Sequence, residues 1–516
     1  MEMERKPVRK RTRWYRRMTI LKLHKWAGLI SAVWLCVLGA TGFLLDHKEW
    51  RWMWFSTVSE RVLPESVTSL SRTVIQILQV NPDRPMHQVA AGSRGLWVTE
   101  DGAKSWQRTR VIGDEGGQVQ VFAVEPDPEH GWNRLWIGTD DGLWTSEDGG
   151  KTLVKAGMER QRITALTAGA SHAELYGAAD RSRIFQLRTD EPDRPDWLRF
   201  EAPAADALPR QISLRRLVID LHVGNGLFAR NTSLLLNDIA SLGLCALALS
   251  GVFYWGFPKY WRHRRRNCGQ IRVETKRKIL IWLFRLHGPL IGLCAAVPLL
   301  YLAITGILFG HRELGDWLGR VRIPAMFHPP VYHLNAWDGW IEAVIGYPGQ
   351  PEKLSIGTRI GLFTSKDEGR TWLAEQAGTE RIPAARRLRR FGERVYIGGW
   401  MGGGSYLRQQ DGAEWLKLSD RHANMARDIT RLEDGQIGWL HQGKTVVMTD
   451  RSGQVSGQIE LTQPMEDGVP WYYVLNRLHD GMIFWEHWKW LNDLFAVLAT
   501  TLLVTGLIRW WRVKWR

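Results

Sequence analysis

Four stretches interrupt an otherwise mixed alternation of polar and apolar positions. Residues 27–45 and 239–257 each run for 19 positions without a charged side chain, and residues 288–310 run for 23. Residues 494–508 form a shorter run bracketed by Trp488, Trp490, Trp510 and Trp511. A helix needs about 20 apolar residues to cross a bilayer core. The pattern therefore predicts four transmembrane helices: 20–47, 221–258 with its lead-in, 279–311, and 479–511 with its lead-in. The connections 48–220 and 312–478 read differently. Short alternating segments broken by Gly, Asp and Pro predict β-strands there. The first run is not read as a cleaved signal peptide, because it is long, lacks a clear small-x-small site and recurs deeper in the chain.

That recurrence makes the chain a repeat of two halves. The first run is framed by His24-Lys-Trp-Ala-Gly-Leu and Ala40-Thr-Gly-Phe-Leu-Leu-Asp-His47-Lys-Glu49. The third is framed by His287-Gly-Pro-Leu-Ile-Gly-Leu and Ile304-Thr-Gly-Ile-Leu-Phe-Gly-His311-Arg-Glu313. Asp220-Leu-His222-Val-Gly224 precedes the second run and Arg477-Leu-His479-Asp-Gly481 the fourth. Asn237 to Gly251 and Asn492 to Gly506 both span 14 residues. The plan is span, large insertion, span, taken twice, a parallel repeat about an axis along the membrane normal. Gly39, Gly42, Gly243, Gly251, Gly306 and Gly506 permit close helix approach.

Charge orients this plan. Residues 1–25 hold 10 basic and 2 acidic side chains, residues 259–278 hold 9 and 1, and residues 509–516 hold 4 and none. By the positive-inside rule, the N-terminus (1–19), the loop 259–278 and the tail 512–516 are cytoplasmic, and the insertions face outward, into the periplasm if the cell is Gram-negative. The formal charge of +16 is thus a topology signal, since the rest of the chain is net −4, and nucleic acid is not an expected partner. Of four Cys, Cys36, Cys245 and Cys294 lie in the runs and Cys268 between them, so no disulfide staples the insertions.

Three segments of the insertions resemble the Asp-box of sialidase-like β-propellers, Ser/Thr-x-Asp-x-Gly-x-x-Trp. Thr364-Ser365-Lys-Asp367-Glu-Gly369-Arg-Thr-Trp372 matches fully, Thr99-Glu-Asp101-Gly-Ala103-Lys-Ser-Trp106 has Ala for Gly, and Ser146-Glu-Asp148-Gly-Gly150-Lys-Thr-Leu153 has Leu for Trp. Asp101 and Asp148 are 47 residues apart, about one propeller blade. The expected fold is a membrane α-helical core of two pseudo-symmetric halves plus an all-β, propeller-like periplasmic cap. Two separate small β domains are the alternative. The box is a turn device and not a catalytic one. Arg386-Arg-Leu-Arg-Arg390 reads as a solvated face that could also attract an anionic chelate, and Trp400-Met-Gly-Gly-Gly-Ser405 reads as a turn.

Six of the 15 His sit at run ends in matched pairs: His24 with His287, His222 with His479, and His47 with His311. Ionisable residues at membrane spans are rare and functional by default, and interfacial anchoring is the plainer reading. Two symmetric imidazoles suit the axial positions of a haem iron. The absence of Cys-x-x-Cys-His excludes covalent attachment, leaving haem b, and zinc or copper would need acidic or thiolate co-ligands that these His lack nearby. His24 and His47 are about 35 Å apart along one helix, so His222 and His479, folding back toward the core, are preferred for an outer haem, with His47 and His311 as second candidates.

The Leu-His motifs, Thr-Gly exits and span ends resemble the PepSY-associated transmembrane helix family, which includes siderophore-iron reductases of the FoxB type. The resemblance covers the four spans and their flanks. It implies an inner-membrane haem b oxidoreductase, with two haems held by His24, His287, His222 and His479. Such a protein carries electrons outward to reduce a periplasmic ferric siderophore or other ferric chelate. Family insertions are commonly small α+β modules, so the β-rich insertions depart from the pattern. No dinucleotide fingerprint is present, so a cytoplasmic flavoprotein or membrane quinol is the expected electron donor. The alternative is a non-enzymatic, membrane-anchored propeller receptor or assembly protein. A glycosidase is a third reading, which Asp-boxes alone do not support.

Overall fold

The computed structural model describes residues 9–113, 117–171, 173–198, 211–267, 273–333, 339–399, 404–418 and 426–514. Cys268 and the stretch 400–403 lie outside the described residues, as do the outermost residues of the two basic termini. The chain divides into a helical unit (Met1–Lys48, Ser213–Val321, Tyr472–Arg516) and a β unit (Glu49–Ile212, Arg322–Trp471).

The helical unit is built from α1 (Arg9–Asp46), α2 (Leu214–His222), α3 (Arg230–Asn267), α4 (Val273–Arg285), α5 (Ala296–Gly310), α6 (Trp471–His479) and α7 (Lys489–Lys514). Three segments, Thr19–Asp46, Asn231–Arg264 and Lys489–Trp511, are long and apolar enough to cross a membrane. The third apolar run is not one straight helix. It combines α4 and α5 through the π-helical segment Leu286–Gly292, with a bend of 64°. Gly288-Pro289 explains the break, since proline has no N–H to continue the ladder and π-helical turns relieve the mismatch.

α1 packs against α3 and α7, and α5 packs against the same two helices. Small residues set the approach. A Cβ added at Gly39 would stand 2.6 Å from the Ser241 carbonyl oxygen, so α1 and α3 touch backbone to backbone there. The lead-in helices share a device: Arg216 Nε donates to Asp220 Oδ2 at 2.7 Å in α2, and Arg477 Nη1 donates to Asp480 Oδ2 at 2.8 Å at the end of α6.

Besides short two-stranded pairings, the described residues of the β unit form six larger sheets, five of four strands and one of five, with three from each insertion. Their innermost strands are β1 (Ile77–Val80), β2 (Val121–Asp127), β3 (Ile163–Ala168), β4 (Ile341–Tyr347), β5 (Arg387–Phe391) and β6 (Ala426–Arg431). All seven residues of β4 are buried, whereas outermost strands such as Gln107–Arg108 and Leu416–Lys417 are exposed. Contacts run β1–β2, β2–β3, β3–β4, β4–β5, β5–β6 and back from β6 to β1, so the innermost strands form a cycle. The return contact is polar: Asp428 on β6 accepts from the Leu78 N–H and from Gln79 Nε2, and Thr430 Oγ1 accepts from the Val80 N–H. Arg389 on β5 bonds Glu125 on β2 at 3.0 Å and lies 3.4 Å from Asp428.

The arginine run is therefore not a solvated face. It enters an innermost strand, and the Arg389 side chain is 15% exposed. The three Asp turns cap their hairpins as turn chemistry dictates. Asp367 accepts from Ser365 Oγ and from the Thr371 N–H and Oγ1, bonds that hold its carboxyl down to about 2. Asp101 and Asp148 take the same bonds in the first two sheets, and Asp450 forms a fourth such turn that its sequence does not advertise.

Candidate functional site

Each of the four preferred histidines meets its partner. The rings of His24 on α1 and His287 on the π-helical segment lie 6.1 Å apart between centroids, and those of His222 and His479, at the ends of α2 and α6, lie 6.2 Å apart. The two layers are separated along the helices. His24 to Thr41, which touches His479, is 17 residues of α1, or about 25 Å. Asn492, bonded to His479, and Thr505, bonded to His24, are 13 residues apart on α7, or about 20 Å. The fold-back of His222 and His479 thus gives a shorter separation than the full length of α1.

One local device serves all four rings. His24 Nδ1 lies 2.8 Å from Thr505 Oγ1, His287 Nδ1 lies 2.9 Å from Ser250 Oγ, His479 Nδ1 lies 2.8 Å from Thr41 Oγ1 and His222 Nδ1 lies 3.3 Å from Thr305 Oγ1. Each hydroxyl gives its single proton to a carbonyl one turn back in its own helix: Thr505 to Thr501, Thr41 to Val37, Thr305 to Tyr301 and Ser250 to Leu247. The hydroxyl oxygen is then an acceptor toward histidine, so Nδ1 carries the ring proton and Nε2 keeps a lone pair. A ring tied at Nδ1 and open at Nε2 is what metal ligation requires.

Glycine follows every one of these hydroxyls. A Cβ at Gly42, Gly251, Gly306 or Gly506 would stand 3.5, 3.2, 3.3 or 3.6 Å from the Cε1 of the facing histidine. The bare backbone leaves room for the Cε1 edge of the imidazole against the helix. The second layer has an additional brace. Asn237 Nδ2 donates to the His222 carbonyl at 3.1 Å and Asn492 Nδ2 to the His479 carbonyl at 3.2 Å, while Tyr301 and Trp34 hold the two asparagine Oδ1 atoms. Burial pushes His222 down to about 3, with His479 adding to the effect, and burial pushes His479 down to about 4. Both rings are neutral at physiological pH.

The spacing of each pair matches that of two imidazoles on one metal. With metal–imidazole bonds of about 2 Å and about 1.1 Å from nitrogen to ring centre, two imidazoles in line on one metal have centroids about 6 Å apart. Each layer offers two nitrogen ligands, which leaves a four-coordinate zinc site two ligands short and is the number of protein ligands a bis-histidine haem would take. Among the described residues no group of three or more His, Cys, Asp or Glu is arranged to hold a metal ion.

The second candidates behave differently. His47 Nε2 lies 3.2 Å from Asp238 Oδ1, and His311 is held between Asp493 at 2.7 Å and Glu313 at 2.7 Å, which also takes Lys489 at 2.9 Å. Each histidine clamps the outgoing helix of its half to the returning one, and the carboxylates beside His311 raise its pKa. Sequence reading missed the hydroxyl partners. The signal was a Thr-Gly or Ser-Gly pair in each of the four spans, noted only as a feature of span exits and helix packing.

No curated protein matches the chain. Among solved structures, an ancestral GH74 enzyme aligns with 10% identity and a TM-score of 0.35, covering 76% of this chain, which spans 39% of that enzyme's length. YCF48 bound to D1 peptide aligns with 10% identity and a TM-score of 0.29, over 68% of this chain and 69% of that one. The profile of the PepSY-associated TM region matches residues 21–340. That match takes in 320 of the 516 residues, three of the four paired histidines and the first-half insertion, and the chain belongs to this family.

Proposed function

We propose that the protein is an inner-membrane haem b oxidoreductase that passes electrons across the bilayer to a ferric chelate, such as a ferric siderophore, in the periplasm. The observation that carries this reading is the pair of two-histidine layers, each ring tied at Nδ1 by a helix hydroxyl and open at Nε2. Haem iron, when bound, supplies one-electron chemistry at a potential set by its ligands and burial. His24 and His287 would hold one group and His222 and His479 the other. The chain's own contribution is orientation and exclusion of water. The hydroxyls fix the ring tautomers, the glycines admit the rings, and the asparagine–aromatic braces fix α2 and α6. A ferric chelate that gains one electron becomes ferrous and is released from a ligand built for Fe³⁺. The electron comes from a cytoplasmic flavoprotein or from membrane quinol. In this reading the N- and C-termini are cytoplasmic, four spans cross the membrane, and the cycle of six sheets is a six-bladed propeller in the periplasm.

Purified protein is expected to show a b-type absorption spectrum with two haems per chain. His24→Ala and His222→Ala each lose one, and His47→Ala keeps both. A folded but colourless protein would overturn the reading and leave the non-enzymatic receptor in its place.

A further inference from the structure

We infer that Arg509 and Tyr254 bind carboxylates beside the His24–His287 layer, and that they hold the propionates of a haem seated on those two rings. The inference rests on the haem reading above and adds the residues that orient the group. Arg509 follows Thr505 by four residues on α7, and Tyr254 follows Ser250 by four residues on α3. Residues four apart share a helix face. Each therefore stands one turn beyond a hydroxyl that ties a ring of this layer, Thr505 for His24 and Ser250 for His287. The repeat puts them at matching positions of its two halves. Both meet the Phe284 ring of α4, the Arg509 guanidinium at 5.3 Å from its centroid and the Tyr254 ring at 6.4 Å between centroids. Arg509 is also close enough to His24 and His287 to act electrostatically on both.

Neither polar head has a hydrogen bond or ion pair among the described residues. Arg509 lies within the apolar segment Lys489–Trp511, where a guanidinium is costly without an anion. Its contact with Phe284 uses the charge and still leaves N–H donors to be satisfied. The chain itself has few acids to offer. The basic segments 1–25, 259–278 and 509–516 contain only Glu2, Glu4 and Glu274. The first two lie outside the described residues, and Glu274 bonds Lys278 at 3.0 Å. The other layer lacks this pair of donors. The residues four beyond Thr305 and Thr41 are Phe309 and Leu45, and Phe309 packs on the His222 ring. A forked cation and a phenol O–H beside one layer suit the paired carboxylates that a haem carries at one edge. Two axial histidines leave rotation about their common axis free, and these donors fix it.

The test uses the full chain in uncharged detergent, carrying His222→Ala so that only the His24–His287 layer fills. Haem-free protein is titrated with haem or with haem dimethyl ester, whose carboxylates are blocked, and absorbance reads binding. Haem is expected to bind about ten-fold more tightly than the ester, the worth of one charge-assisted bond. Arg509→Gln is expected to weaken haem about ten-fold and leave the ester unchanged, and Arg509→Lys to recover most of the difference. Tyr254→Phe is expected to weaken haem about three-fold, as for one neutral donor. Arg262→Gln, whose exposed side chain bonds its own helix at the Pro258 carbonyl, is expected to change neither. A chain that binds neither ligand overturns the haem reading and this inference together. Equal affinity for haem and ester, or equal weakening of both by Arg509→Gln, overturns the inference alone. A loss in Arg509→Gln that appears only when anionic phospholipid is added assigns the guanidinium to a lipid phosphate and also overturns it. If a variant fails to fold, the wild-type chain decides: one of its sites is expected to prefer haem to ester, and no preference at either overturns the inference.

Discussion

A hydroxyl one helix away decides what each histidine can do. Thr505 gives its proton to Thr501 and therefore receives one from His24. Such a bond makes the ring a better electron donor toward a bound metal and favours the ferric state. With haem bound as proposed, Thr505→Val is expected to retain it and raise the potential of its layer by roughly 20–60 mV, the equivalent of one hydrogen bond of about 1 kcal/mol in a one-electron couple. Thr505→Ser should restore the wild-type value. Spectroelectrochemical titration checks both, and an unchanged potential in the valine variant would sink the role given to the hydroxyl. The histidines themselves were legible, because internal duplication aligned His24 with His287 and His222 with His479. Their partners were not. Thr41 and His479 are separated by 438 positions, and no local pattern tells a threonine which helix it faces.

At the scale of elements, α2 and α6 are short, and what docks them is a neutral buried ring at the end of each. The folded pKa values of His222 and His479 lie near 3 and 4, below the unfolded value. An unfolded chain takes up protons near pH 6.5 while the folded one resists. In the haem-free protein the contribution of these rings to stability is therefore complete above about pH 6.5 and declines as pH falls through the window down to about 4, with a slope of up to about 1.4 kcal/mol per pH unit for each ring. Thermal melts of the haem-free protein between pH 7 and pH 4.5 should show this decline, and the double variant His222→Leu/His479→Leu should flatten it. The helices and strands were legible from their apolar periods, with two exceptions. The third apolar run bends where glycine and proline interrupt it, a feature a hydropathy window averages away. The arginine run enters the innermost strand β5, where ion pairs with Glu125 and Asp428 replace water, and those partners lie in distant segments.

For the whole molecule, the same ion pairs join the two insertions. Glu125 belongs to the first insertion, Arg389 and Asp428 to the second, and Arg389 reaches from β5 to β2, three places around the cycle. Arg389→Met removes the cation bonded to half-buried Glu125 and lying beside buried Asp428, leaving only the more distant Arg390 and Arg387, which costs about 3 kcal/mol. Chemical denaturation of the β unit followed by tryptophan fluorescence measures the loss, and a change under 1 kcal/mol would mean that Arg389 is a bystander. The exchange of partners goes further. His24 leans on a hydroxyl of the second half and His287 on one of the first, His222 on the second and His479 on the first. The sheets divide three and three, with two seams between the sets. A half chain alone would hold unfinished histidine layers and an open arc, and two identical half chains related by a two-fold axis would complete both.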